Sequence, residues 1–194
     1  MPKRGQKMAK RGRSEQHALD EEQVEALLGE TTELEDRVAL ELMCYLGLRV
    51  SEICHLRRNW VRDGEIRIPR SQPCNCSNCQ GEWRAKSMAS VRSIPIPDLI
   101  AKDLYMFLEH TDGFPPLTRQ ALWWKVKQIA KKAKIKECFP HSLRATAATR
   151  MSAFLTAPEL CYTLGWRNLE MGQHYINIFQ AKAGASKKIK EMLK

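Results

Sequence analysis

The chain has 194 residues, 43% of them hydrophobic, and a formal net charge of +10. That length suits one domain with a proper core and is short for two. The excess of positive charge makes a polyanion the expected partner, nucleic acid ahead of an anionic membrane surface. No run approaches the roughly 18 apolar residues of a membrane span, and the basic start MPKRGQKMAKRGR has no apolar segment behind it to make a secretory signal. Seven cysteines, an odd number, argue against a secreted disulfide scaffold, so a cytoplasmic protein without a membrane partner is expected.

Residues 1–14 carry six cations and no acid and read as a disordered basic arm. From Asp20 the pattern turns helical, with an acidic first turn and apolar Val24, Leu27 and Leu28. Thr32 and Glu35 have the spacing of a capping box before a helix carrying Leu34, Val38, Leu42 and Tyr45, and Gly47 is its natural stop. The next stretch, GLRVSEICHL, places Arg49 between two apolar helices, with Ser51 as the expected cap of the second. A salt bridge from Arg49 to Glu52 is the plain structural reading; a functional charge is the other.

Residues 65–69 and 91–96 alternate polar and apolar, as half-buried strands do. The long polar connection between them holds Lys86 and the run PCNCSNC. Cys74, Cys76 and Cys79 lie there close together, and such thiols suggest ligation of a structural zinc, which wants four ligands. The fourth is not evident; Cys54 or His55 could serve if the fold brings either near, and plain reduced thiols are the competing reading. A catalytic metal is not expected.

Pro97 and Asp98 start a further helix, closed by a turn at Gly113, Pro115 and Pro116. Thr118 can cap the next, whose Leu122, Val126, Ile129 and Ala133 form an apolar stripe. Lys125, Lys127, Lys131, Lys132 and Lys134 occupy its other faces, and residues 125–136 contain no acid, which favours a phosphate backbone lying across them. Trp123 and Trp124 read as core or groove-edge packing. Pro140 suits a helix start, with His141 and Arg144 on neighbouring positions of one face. Thr156 with Glu159, then Asn168, can cap two more helices, the second carrying Tyr175; Gly165 and Trp166 lie between them. The chain closes in a Lys-rich amphipathic tail, 181–194.

Arg49, Lys86, His141, Arg144, Trp166 and Tyr175 are together what attack on a phosphodiester needs without a metal. Guanidiniums clamp the charge that develops on non-bridging oxygens. A tyrosine can form a covalent intermediate, a lysine on a mobile hairpin tip can protonate a leaving alkoxide, and His141 can manage the nucleophile's proton.

In this order and spacing, GLRVSE, the strand-flanked Lys86, HSLR, LGW and the final Tyr175 resemble the catalytic domain of the tyrosine recombinases, the phage integrase family. The resemblance implies a mainly α fold with a small antiparallel β-sheet over residues 15–180, with a Cys-rich hairpin insertion at 71–84. It implies a DNA integrase or recombinase, of the kind carried by viruses and mobile elements, that needs no cofactor for catalysis. Tyr175 would join the 3′ end, Arg49 and Arg144 would stabilise the transition state, Lys86 would protonate the 5′ oxygen, and His141 would be the acid/base partner. Trp166 would stand where histidine is commoner, and Glu52 would orient Arg49. Double-stranded DNA and a homotetramer on paired sites are the implied partners. No separate N-terminal core-binding domain is expected, so an accessory DNA-binding protein could supply that half of the clamp. A type IB topoisomerase, a non-catalytic DNA-binding relative and an RNA-binding metal-knuckle adaptor are the competing readings.

Overall fold

The computed structural model describes residues 14–115 and 117–193, so the expected basic arm lies outside the described residues apart from Ser14. A short 3-10 turn, Ser14–His17, leads into α1 (Glu21–Gly29), α2 (Leu34–Cys44) and the single-turn α3 (Val50–Ile53). The strands follow: β1 (Val61–Arg62), β2 (Glu65–Ile68), β3 (Ser71–Cys74), β4 (Gly81–Arg84) and β5 (Arg92–Pro95). Five helices complete the chain: α4 (Asp98–His110), α5 (Arg119–Lys132), α6 (Pro140–Met151), α7 (Ala157–Leu164) and α8 (Leu169–Met192).

Local signals account for most boundaries. Asp20 Oδ1 accepts from the Gln23 N–H at 2.8 Å, and Gln23 returns its own side-chain oxygen to the Asp20 N–H at 3.1 Å, closing the box that starts α1. Thr118 caps α5 and Asn168 caps α8 in the expected way. Thr156 and Glu159 form the reciprocal pair at α7.

Two expected caps are not made. Helix α2 begins after Glu33 with no side-chain cap, because Glu35 is drawn to Lys125 of α5, 3.2 Å away. Ser51 lies inside α3 and accepts from Trp83 Nε1 at 2.9 Å; the Glu52 carboxylate takes the Arg49 N–H instead, at 2.8 Å. A charged acceptor at that distance is stronger than a hydroxyl.

β1, β2 and β5 form one antiparallel sheet, with Ile66 opposite Ile94. β3 and β4 pair separately as a hairpin, with Cys74 opposite Gly81. This hairpin spans 71–84, and its tip spans 75–80. Lys86 is therefore not at the hairpin tip: it follows β4 by two residues, on the way to β5. Leu42, Leu48, Ile53, Ile66, Ile94 and Phe114 are among the fully buried side chains of the main core. A smaller cluster gathers Ala145, Ala148, Leu160 and Leu164 around Tyr175. The alanines of α6 let neighbouring helices approach closely.

The Lys-rich tail continues α8 as one unbroken helix, almost wholly exposed from residue 179 onward. Among the described residues no helix is long and apolar enough to cross a membrane.

Candidate active site

All six residues of the sequence constellation line one cleft of about 1370 Å³. They arrive from α3's N-terminus, the β4–β5 connection, the start of α6, the α7–α8 turn and the second turn of α8. Tyr175 is buried at the lining of the cleft, 6% exposed, with its ring stacked on Trp166 at 5.3 Å and 23°. The Arg144 guanidinium carbon lies 5.9 Å from the centre of the Trp166 ring.

Each arginine is aimed by backbone. Arg49 donates from Nη1 to Glu52 at 2.8 Å and to Ser90 Oγ at 3.2 Å, and from Nη2 to the Gly165 carbonyl at 2.6 Å. Arg144 donates to the carbonyls of Gly47 and Leu164. A guanidinium carries five N–H groups, so both heads keep donors for a phosphate. The two glycines that accept these bonds share a left-handed backbone, φ +63° at Gly47 and +62° at Gly165. A Cβ at Gly47 would come within 2.5 Å of Leu164 Cδ2, and one at Gly165 within 3.0 Å of Arg49 Nη1. Glycine is thus required at both turns for conformation and for close approach.

The salt bridge read as a plain alternative for Arg49 does form, and it is part of a larger buried device. Glu52 is clasped by two arginines: Arg49, and Arg92 at 3.0 and 3.1 Å. The Arg92 side chain has no exposed surface and also donates to the Thr163 and Ser90 carbonyls at 2.7 and 2.9 Å. Burial works against the Glu52 carboxylate, but the Arg92 charge and hydrogen bonds, then Arg49, hold its pKa below the ordinary value. The sequence reading missed Arg92. The signal was available, since residues two apart on a strand share a face and Arg92 precedes Ile94, which points into the core.

An Arg92→Ala substitution is expected to cost about 2–6 kcal/mol in urea unfolding at pH 7, about 1–3 for each of the Thr163 and Ser90 carbonyls left without this donor, with Glu52 losing one of its two partners. Glu52, with its lowered pKa, contributes stability above the ordinary carboxylate pKa and loses it as pH falls through the folded value. The deficit of the variant should therefore shrink on acidification; a deficit that grows toward acid would contradict this role.

Burial, then repulsion from Arg49, pushes the Arg144 pKa down to about 9, leaving it charged at neutral pH. His141 stands at the cleft mouth, and partial burial followed by the charges of Arg144, Lys86 and Arg49 lowers its pKa. It is therefore mostly neutral at pH 7 and able to take up or give a proton.

The lysine row that begins on α5 lies outside the cleft. Lys125 is held by Asp36 and Glu35 of α2, at 2.6 and 3.2 Å, so acids absent from its own stretch of sequence occupy it. Lys127 is half-buried, while Lys131, Lys132 and Lys134 are exposed outside the cleft. The part of α5 that does line the cleft is its first turn and the residues beside it, Arg119, Gln120 and Trp123. Trp123 meets Trp124 edge-on at 4.9 Å, consistent with groove-edge packing.

The three hairpin thiols line up with His55, whose Nε2 lies 3.2 Å from Cys79 Sγ and 3.6 Å from Cys76 Sγ. Cys54 is buried and outside this group.

The fold is that of tyrosine recombinase catalytic domains. The structure superposes on XerA recombinase with a TM-score of 0.67 at 19% identity, covering 81% of this chain and 59% of that one. It superposes on the Tn1549 transposon integrase, solved in complex with circular intermediate DNA, with a TM-score of 0.65 at 20% identity, covering 81% and 61%. The family model described as the phage integrase family matches residues 17–182, and the chain belongs to that family. In sequence it is 32% identical over 148 residues to the tyrosine recombinase XerD of Ralstonia nicotianae, covering 69% of this chain and 46% of that protein. It is 32% identical over 123 residues to XerD of Staphylococcus aureus strain Mu50, covering 60% and 40%. The chain thus spans less than half the length of these relatives.

Proposed function

We propose that this chain is the catalytic part of a site-specific DNA recombinase, which cleaves and rejoins strands through a 3′-phosphotyrosine. The convergence of Arg49, Lys86, His141, Arg144, Trp166 and Tyr175 on one cleft carries the proposal. The phenol oxygen of Tyr175 attacks phosphorus, and the bond to the 5′ oxygen breaks. Arg49 and Arg144 neutralise charge growing on the non-bridging oxygens from positions set before the reaction begins. His141, neutral at pH 7, accepts the phenol proton; Lys86 gives a proton to the departing 5′ oxygen. Trp166 holds the tyrosine ring and lends its indole N–H to the phosphate. The phosphotyrosine keeps the bond energy, so attack by a second 5′ hydroxyl rejoins strands without a nucleotide.

The test is covalent trapping on nicked suicide duplexes cut from the source genome. A DNA-shifted band on a denaturing gel is expected, and its absence from intact, DNA-binding protein would favour the non-catalytic reading. Likeness to recombinases favours strand exchange over topoisomerase action; efficient relaxation of a plasmid lacking any cognate site would reverse that preference.

A homotetramer on paired double-stranded sites, in the cytoplasm, is part of the same proposal, with a clamp on the far side of the duplex supplied by further protein. The exposed end of α8, with Ile189, Met192 and Leu193 apolar among lysines, supports docking on a neighbouring copy. Removal of residues 181–194 should leave single-site cleavage within about twofold but cut synapsis in a gel-shift assay by tenfold or more. Equal loss of both would remove that role.

A further inference from the structure

One cluster is not used by the phosphoryl chemistry. The ligand atoms of His55, Cys74, Cys76 and Cys79 all lie within 4.8 Å of one another. Three come from the end of β3 and the hairpin tip; the fourth comes from just beyond α3, 19 residues before Cys74.

Three observations point to a metal. The separations from His55 Nε2 to Cys79 and Cys76 Sγ, 3.2 and 3.6 Å, bracket the edge of about 3.5 Å spanned by nitrogen and sulfur around a tetrahedral zinc. His55 Nδ1 lies 2.7 Å from the Ser51 carbonyl oxygen, which can only accept, so Nδ1 carries the proton and Nε2 turns its lone pair toward the sulfurs. A carbonyl on the far ring nitrogen is the usual support of a metal-bound imidazole. The Cys76 N–H also points at Cys74 Sγ, 3.4 Å away, as backbone N–H groups do toward ligating thiolates.

We propose that His55, Cys74, Cys76 and Cys79 bind one zinc ion as a structural Cys3His centre, clamping the β3–β4 hairpin to the segment that follows Arg49 and Glu52. Four protein ligands close the coordination sphere, leaving no position for a substrate. The clamp acts next to the cleft. Trp83 of β4 stacks on His55 at 5.6 Å and bonds Ser51, and Gln72 Nε2 donates to the His55 carbonyl at 2.6 Å. Asn75, Cys76, Ser77, Asn78 and Cys79 form one wall of the cleft. The ion makes that wall and the Arg49 turn a single body, a role that goes beyond strand cleavage and does not depend on it.

The test measures metal and mobility rather than activity. Purified under reducing conditions without added chelator, the chain should carry one zinc by elemental analysis; His55→Ala and Cys76→Ser should carry almost none, and Cys54→Ser the full equivalent. Stripped wild-type chain should bind one cobalt(II) with the strong visible absorption of tetrahedral thiolate coordination, a readout that holds even if a variant folds poorly. Metal should slow hydrogen exchange at 51–56 and 71–84 by tenfold or more, with α4 unchanged. Wild type that takes up neither zinc nor cobalt, or His55→Ala and Cys76→Ser variants that keep a full equivalent, would overturn the site. Exchange indifferent to the metal would overturn the clamp.

Discussion

Tyr175→Phe should bind DNA as the wild type does and form no covalent adduct on a suicide duplex. The substitution removes one oxygen. The ring keeps its place between Trp166 and the small cluster of Ala145, Ala148, Leu160 and Leu164, so the fold around it has nothing to refill. Loss of a hydroxyl's own interactions costs about 0.5–1.5 kcal/mol, too little to unfold a domain whose core lies mostly elsewhere. Thermal melting within a few degrees of wild type, with a normal gel shift and no adduct, is the expected set of results. An adduct at wild-type level would remove Tyr175 as nucleophile and with it the proposed reaction.

Arg49→Ala should lower the single-turnover cleavage rate by about 100–1000-fold, which is 2.7–4 kcal/mol of lost transition-state stabilisation, the size seen for one preorganised donor. This position tests the arginine clamp more cleanly than Arg144, because Glu52 keeps its second partner, Arg92, and is not left as an unpaired buried charge. Arg144→Ala should lose at least as much activity. It also strips the Gly47 and Leu164 carbonyls of their donor, about 1–3 kcal/mol for each buried group left unsatisfied, so its loss of rate has to be read beside its melting curve. Wild-type cleavage by a folded Arg49→Ala chain would contradict the clamp.

The electrostatics of the cleft is the reason such large effects are expected of these arginines. Arg49, Arg92 and Arg144 act on one carboxylate, Glu52, and Lys86 lines the same cleft, leaving it rich in positive charge. Glu52 is deep and bidentate, and it orients Arg49 without cancelling the field. Repulsion among the cations is what lowers the pKa of His141 and Arg144, after burial itself. In the proposed reaction a phosphate entering the cleft would relieve that repulsion, so part of the cost of assembling the site would be returned on binding.

The sequence by itself determined most of the helices and the ordered residue set on which the family resemblance rests. Caps such as Thr118 and Asn168, the stop at Gly47, the strand alternation and the ordered set from Arg49 to Tyr175 are short-range or compositional signals, and the described structure retains them. Only the tertiary structure decided the pairings between distant segments. It placed Asp36 and Glu35 against Lys125, 89 and 90 residues away. It buried Arg92 behind Glu52, left Lys86 beyond the hairpin rather than at its tip, and chose His55 over its neighbour Cys54 to face the three thiols. The reason is physical: spacing along a chain sets which face of a helix or strand a side chain occupies, but which other face it meets is set by packing, and packing is a property of the whole fold.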